Sequence, residues 1–233
     1  MAYKIYLSPS NQGGNTYATG GTNEKAQCDK IAKATEIALK RCGFEVKVGK
    51  SGDSMQNRCK ESDAFNADIH LPIHTNATAK HNVTGGTLVM LFKSSDKHNK
   101  AGKAVLDAVG AISPGRDYAL QYRQDLYELN NPSALSVYLE VEFHDTKTGS
   151  DWIRNNITNI GEAIAKGLCK YFGVAYKSPN TKPKDTETSN DKEVTMYYVQ
   201  TGAFTSKANA ENMVKDLKAK GFDAIVKTEV KKK

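Results

Sequence analysis

The sequence predicts an α/β protein, a mostly parallel sheet with helices on both faces, followed by a small β-α-β module. Three observations carry this. Short apolar runs of strand length alternate with amphipathic helical patterns over residues 1–174, the order that builds crossover units. The central run, Asp68 to Ala77, sets Ile69, Leu71 and Ile73 in alternation and ends in His74-Thr75-Asn76, which places an imidazole at a strand end. Composition then breaks: Lys177 to Lys192 is Ser, Thr, Asn, Pro, Asp and Lys with no apolar period, a flexible linker.

Tyr3 to Ser8 is the first expected strand, and Pro9 to Gly21 a loop rich in Gly, Asn, Ser and Thr. Its doublets Gly13-Gly14 and Gly20-Gly21 match neither the dinucleotide fingerprint nor the P-loop. Thr22 or Asn23 caps a helix from Glu24 to Gly43 with Cys28, Ile31, Ala32, Thr35, Ala38 and Leu39 on its buried face. Phe44 to Val48 reads as a strand, Met55 to Asn66 as a helix, Gly86 to Lys93 as a strand and Asp96 to Ile112 as a helix. Arg116 to Pro132 is a long polar connection carrying Tyr118, Tyr122, Arg123 and Tyr127, of the length that serves binding. Ser136 to Phe143 is the last strand of this unit, and Ser150 to Phe172 a closing helix with Trp152, Ile153, Ile157, Ile160, Ala163, Ile164 and Leu168 inward. Beyond the linker, Met196 to Gln200, Lys207 to Lys220 and Phe222 to Val230 read as strand, helix and strand. The expected domains are therefore 1–174, a linker over 175–193 and a module over 194–233.

With 39% hydrophobic and 25% charged residues the chain has the material for a packed core. The net charge of +7 favours anionic partners, but no basic block with interleaved aromatics points to nucleic acid, and no stretch is long and apolar enough for a membrane span. Cys28, Cys42, Cys59 and Cys169 form no Cys-x-x-Cys pair, so reduced thiols are expected rather than a zinc ribbon or redox site. The first residues run straight into a strand with no charged n-region, apolar h-region or cleavage site, so synthesis in the cytoplasm without a signal peptide is the expectation.

Chemistry gathers at strand ends. Glu140 and Glu142, two apart, share a face of the last strand, and His144 continues the row. Carboxylates in a covered strand are costly to bury without a cation or a wet cleft beside them. Glu24, in the first turn of its helix, is favoured by the helix dipole and aimed at the same crevice. Glu24, His74, Glu140 and His144 together supply nitrogen and oxygen donors and the proton-moving carboxylate that a catalytic zinc requires. His70 sits too early in its strand to join them, and His81 and His98 lack supporting context.

Four pieces in order carry a resemblance: Leu7-Ser8-Pro9-Ser10-Asn11-Gln12-Gly13-Gly14, Asn23-Glu24 opening a helix, Ile73-His74-Thr75-Asn76-Ala77, and Tyr138-Leu139-Glu140-Val141-Glu142-Phe143. With them residues 1–174 resemble the zinc-dependent N-acetylmuramoyl-L-alanine amidases of the amidase-3 type, found in autolysins and phage endolysins. The resemblance implies the zinc-amidase/exopeptidase-like α/β fold. It implies hydrolysis of the amide between the lactyl group of N-acetylmuramic acid and L-alanine, Zn2+ held by Glu24 and His74, and Glu140 as the catalytic carboxylate. Asn11 occupies the position where the family has its first histidine ligand. Three outcomes follow: His144 supplies the missing nitrogen, which is the favoured expectation; Asn11 or Gln12 binds weakly or through water; or the metal site is lost. Arg123, Tyr127 and Asn76 are the expected substrate contacts, the first two toward the acidic stem peptide.

Tyr197 to Phe204, with Ala208-Asn209-Ala210-Glu211 and Gly221-Phe222-Asp223-Ala224, resembles the first half of a SPOR domain, a family that binds peptidoglycan glycan strands. The combined expectation is a wall-lytic amidase with a partial wall-binding module, reaching peptidoglycan after release by a holin or by lysis. The alternatives are a non-catalytic wall-binding protein on an amidase fold that has lost its metal, and a zinc carboxypeptidase cutting within the stem peptide.

Overall fold

The computed structural model describes residues 2–78, 85–116, 119–179, 202, 204–219 and 224–226. The chain divides into two compact units, Met1–Pro183 and Lys184–Lys233.

The first unit runs β1 (Lys4–Pro9), α1 (Glu24–Arg41), β2 (Glu45–Val48), α2 (Met55–Phe65), β3 (Ile69–Asn76), β4 (Leu88–Leu91), α3 (Asp96–Gly110), β5 (Ala119–Tyr122), α4 (Tyr127–Asn130), β6 (Leu135–Ser136), β7 (Tyr138–Phe143), α5 (Lys147–Asn155) and α6 (Ile157–Phe172). The sheet order is β2-β1-β3-β7-β4-β5, with β6 paired to β3. All pairs are parallel except β4 with β7, so the sheet is mixed and mostly parallel.

Alternation sorts each strand between two faces. Ile5, Leu7, Ile69, Leu71, Ile73, Leu139 and Val141 join the main core with Ile31 and Leu39 of α1, Val105 of α3 and Ile160 and Leu168 of α6. On the other face Met90 and Tyr138 pack with Leu129 of α4. Asn23 caps α1 by accepting from the Ala26 amide at 2.9 Å, and Gly43, at φ +94°, takes the left-handed conformation just beyond its end.

Three elements depart from the expectation. The 116–132 connection holds β5 and α4: β5 is an edge strand made by backbone pairing to β4, with Gln121 and Tyr122 exposed, so no apolar alternation announced it. The last strand is two pieces, since Val137 separates β6, paired to the start of β3, from β7, paired to its end. The closing helix starts earlier, where Thr146 caps α5 by accepting from Gly149 N at 3.0 Å, and it breaks at Asn156.

In the second unit the described element is α7 (Lys207–Ala219). Residues 180–192 of the expected linker, the strand at 196–200 and all but 224–226 of the strand at 222–230 lie outside the described residues, as do Tyr118 and His81. No helix among the described residues is long and apolar enough to cross a membrane.

Candidate active site

The site forms where β1, β3 and β7 end and α1 begins. Parallel strands bring their carboxyl ends to one edge, and the first turn of α1 places Glu24 there, its amides donating to Asn15 O, Gln12 O and Asn23. His74 Nδ1 lies 2.8 Å from Glu24 Oε1, and both side chains are buried. Asn15 donates from Nδ2 to Glu24 Oε2 at 2.7 Å, and the Thr75 amide donates to Oε1 at 3.5 Å. Burial would raise the Glu24 carboxyl, but the hydrogen bond and charge of His74, with the bonds from Asn15 and Ser10, outweigh it and hold the group below the ordinary carboxylate range. The His74 ring stacks on Tyr138, centroids 4.6 Å apart.

The glycine-rich loop completes the rim. Gly20 and Gly21, both at positive φ, turn a short hairpin closed by a bridge from Thr16 to Asn23, with Tyr17 N donating to Thr22 O at 3.0 Å. The hairpin carries Asn15 and Gln12 to the pair: Gln12 Nε2 is 3.3 Å from His74 Nδ1, and Gln12 Oε1 accepts from Asn15 at 2.8 Å. Gln12 had been a secondary expectation and Asn15 none, because amides in a glycine-rich loop carry no spacing signature. Asn11 turns away and donates to Asp53 O at 3.0 Å.

Glu140 stands opposite His74 in the β3–β7 register. Among the described residues its Oε2 is buried with no hydrogen-bond partner. Burial pushes this carboxyl up to about 7; His74 opposes the rise and Glu24 adds to it. Glu142, also buried, spends its carboxylate elsewhere, accepting from Ser113 Oγ, from Gly115 N at 3.3 Å and from Phe143 N at 2.8 Å.

His144 does not join Glu24 and His74. In register His74 faces Glu140 but Asn76 faces Phe143, so β7 holds one extra residue over that span. Alternation counted from Glu140 is thereby broken. The His144 ring sits at Thr75, on the side of β3 opposite His74, with Nδ1 2.8 Å from Thr75 O and 3.0 Å from its hydroxyl, stacked on Tyr17. Among the described residues no three His, Cys, Asp or Glu side chains converge as a metal site. The donors that do converge are the imidazole of His74, the carboxylate of Glu24 and the amide of Gln12. With the orphaned Glu140 oxygen beside them they fit a cation, since nitrogen and oxygen donors with an adjacent carboxyl are what catalytic zinc uses.

The expected substrate contacts are more dispersed. Asn76 Oδ1 accepts from Ala77 N at 2.8 Å, Tyr127 is exposed at the start of α4, and Arg123 forks onto Asp125 at 2.7 and 2.5 Å. Arg123 and Asp125 line an open hollow of about 550 Å³ with Phe92, Lys93, Ser94 and Tyr122.

A second buried polar cluster lies on the His74 side of the sheet. His70 Nε2 meets Glu128 Oε1 at 3.1 Å, Ser8 Oγ donates to the same oxygen, and the buried Arg58 guanidinium donates to Ser8 Oγ at 3.4 Å and to Pro9 O. Every member is enclosed, so the cluster ties β1 and β3 to α2 and α4.

A model of the N-acetylmuramoyl-L-alanine amidase family (Amidase_3) matches residues 5–170, and a SPOR domain model matches residues 194–233. A sporulation-specific N-acetylmuramoyl-L-alanine amidase of Bacillus subtilis (strain 168) is 26% identical over 238 residues, covering 96% of this chain and 84% of the relative. An endolysin of Bacillus phage SPP1 is 23% identical over 211 residues, covering 86% and 77%. Among solved structures, an N-acetylmuramoyl-L-alanine amidase from Clostridium difficile 630 superposes with a TM-score of 0.68 at 22% identity, covering 74% of this chain and 97% of that one. An amidase from Nostoc punctiforme does so at 0.65 and 20% identity, covering 73% and 97%.

Proposed function

This chain belongs to the N-acetylmuramoyl-L-alanine amidase family and is a peptidoglycan hydrolase, and we propose that it cleaves its amide with zinc on Glu24 and His74 and with Glu140 as the proton carrier. The bond joins the lactyl group of N-acetylmuramic acid to L-alanine. In this reading residues 1–174 are the catalytic unit, 175–193 the linker and 194–233 a wall-binding module.

The observation that supports it is the meeting of the Glu24–His74 pair with the unpartnered Glu140 oxygen at one end of the sheet. When bound, zinc supplies Lewis acidity toward the scissile carbonyl and its attacking water. Glu140 Oε2, which has no internal partner to break from, takes the proton from that water as its oxygen adds to the carbonyl carbon. The same oxygen then delivers the proton to the leaving nitrogen as the C–N bond breaks, leaving a lactyl carboxylate and a free alanine amino group. Glu24, fixed by Asn15 and the Thr75 amide, would present Oε1 to the cation beside His74 Nδ1, and the stack on Tyr138 keeps the His74 ring in one orientation.

The test is end-group analysis of digested peptidoglycan. New alanine amino termini without new reducing sugar ends, abolished in a folded Glu140→Gln protein that still sediments with the wall, support the reading. New termini inside the stem peptide would indicate a carboxypeptidase. Wall binding without hydrolysis by the wild type would indicate a binder on an abandoned enzyme.

A further inference from the structure

The loop that lacks the family's imidazole has a built replacement. Four side chains close a ring: Gln12 Nε2 to His74 Nδ1 at 3.3 Å, His74 Nδ1 to Glu24 Oε1 at 2.8 Å, Glu24 Oε2 to Asn15 Nδ2 at 2.7 Å, and Asn15 Nδ2 to Gln12 Oε1 at 2.8 Å. The backbone fixes the approach, since Ser10 N donates to Ile73 O at 2.9 Å and Gln12 N to Ser10 Oγ at 3.2 Å, which pins the loop against the end of β3.

The ring is inconsistent at one atom. A ring nitrogen either donates or accepts. If His74 Nδ1 donates to Glu24, the Gln12 N–H points at another N–H. If it accepts from Gln12, its lone pair faces a carboxylate oxygen at 2.8 Å. Turning the Gln12 amide, whose two ends are nearly isosteric, removes the conflict by bringing its oxygen to the junction; with a cation there, Nδ1, Glu24 Oε1 and Gln12 Oε1 would all act as lone-pair donors. Asn15 keeps its bond to Glu24 Oε2 and so positions that donor, while its bond to Gln12 Oε1 is given up when the amide turns.

We propose that Gln12 supplies the third metal donor of this site in place of the missing imidazole, beside a Glu24 that Asn15 holds. The inference rests on the zinc reading above. A neutral amide oxygen is a weaker zinc ligand than an imidazole, so this centre holds zinc less tightly than a site with two histidines would. His144, committed to Thr75 and Tyr17, takes no part.

The experiment is zinc titration of chelator-stripped full-length protein against a chromophoric competitor, with the visible spectrum of the cobalt-loaded form as a second readout. Wild type, Gln12→Ala, Gln12→His, Asn15→Ala and His144→Ala are compared. Gln12 is exposed on a loop, so its variants keep the fold. Gln12→Ala should weaken zinc binding by about 10-fold or more and shift the cobalt bands, and Asn15→Ala should weaken it less. Gln12→His should tighten binding beyond wild type, and His144→Ala should leave affinity and spectrum unchanged. Wild-type affinity and spectrum in Gln12→Ala, or loss of the metal in His144→Ala, overturns this inference alone. A wild-type protein that takes up no zinc overturns it together with the zinc reading.

Discussion

His74 and Glu140 face one another across β3 and β7 at the same register, so an imidazole held by Glu24 and a carboxyl oxygen with no partner share one end of the sheet. One is fixed and the other is free to exchange a proton. In the proposed mechanism that asymmetry separates a ligand from a proton carrier, and it has a stability cost.

Removing the Glu140 charge should stabilise the metal-free protein. Burial pushes this carboxyl from 4.5 up to about 7, against the opposing charge of His74 and with help from Glu24. A folded pKa above the unfolded one means that the folded state prefers the protonated form. The penalty is absent below about pH 4.5, grows up to about 7 and is full above it. In chelator-treated protein Glu140→Gln should therefore gain about 1–3 kcal/mol at pH 8, several degrees in melting temperature, and much less at pH 5. Paired thermal melts at the two pH values check this; equal gains at both would refute it.

Glu128 works in the opposite direction. Burial would raise it, but the hydrogen bond and charge of His70 and the bond from Ser8 outweigh burial and hold it below the ordinary carboxylate range. A depressed folded pKa gives stability that is present above the unfolded value near 4.5 and lost as pH falls through the folded one. Glu128→Ala should cost about 3–5 kcal/mol at pH 7, because His70 and Ser8 stay buried without the carboxylate they meet. Urea unfolding should show the gap between wild type and variant narrowing toward pH 3.

His144 is a structural residue in this site. His144→Ala removes the stack on Tyr17 and strands the Thr75 carbonyl, at a cost of about 2–3 kcal/mol by denaturant unfolding. A variant as stable as wild type would show that these contacts contribute nothing.

What the sequence made legible was set locally. The alternation of strands and helices, the buried face of α1, Glu24 behind its Asn23 cap and His74 at a strand end all follow from periodicity and capping, and the structure has each of them. His144 was misplaced because a single extra residue in β7 is invisible to a count by twos. β5 escaped notice because its pairing, not its side chains, makes it a strand. Gln12 and Asn15 reach the site only once Gly20 and Gly21 fold the loop back, a tertiary event with no sequence period.

A close contact with its neighbour helix also constrains α1, and so Glu24 at its first turn. A methyl at Gly161 of α6 would lie 2.7 Å from Ala34 C and Cβ and 2.8 Å from Thr35 N of α1. Two of these three atoms are backbone, which no rotamer change can move aside. Alanine gains about 1 kcal/mol over glycine in helix propensity, but overpacking a rigid contact costs about 1–3 kcal/mol, so the clash wins. Gly161→Ala should lower the melting temperature and displace α1, reducing wall hydrolysis with it. Gly13→Ala, where an added methyl meets nothing within 4 Å, is the stability control. If Gly161→Ala were as stable as wild type, α1 could shift without penalty, and the position of Glu24 would have to be fixed by the Asn15 and His74 bonds alone.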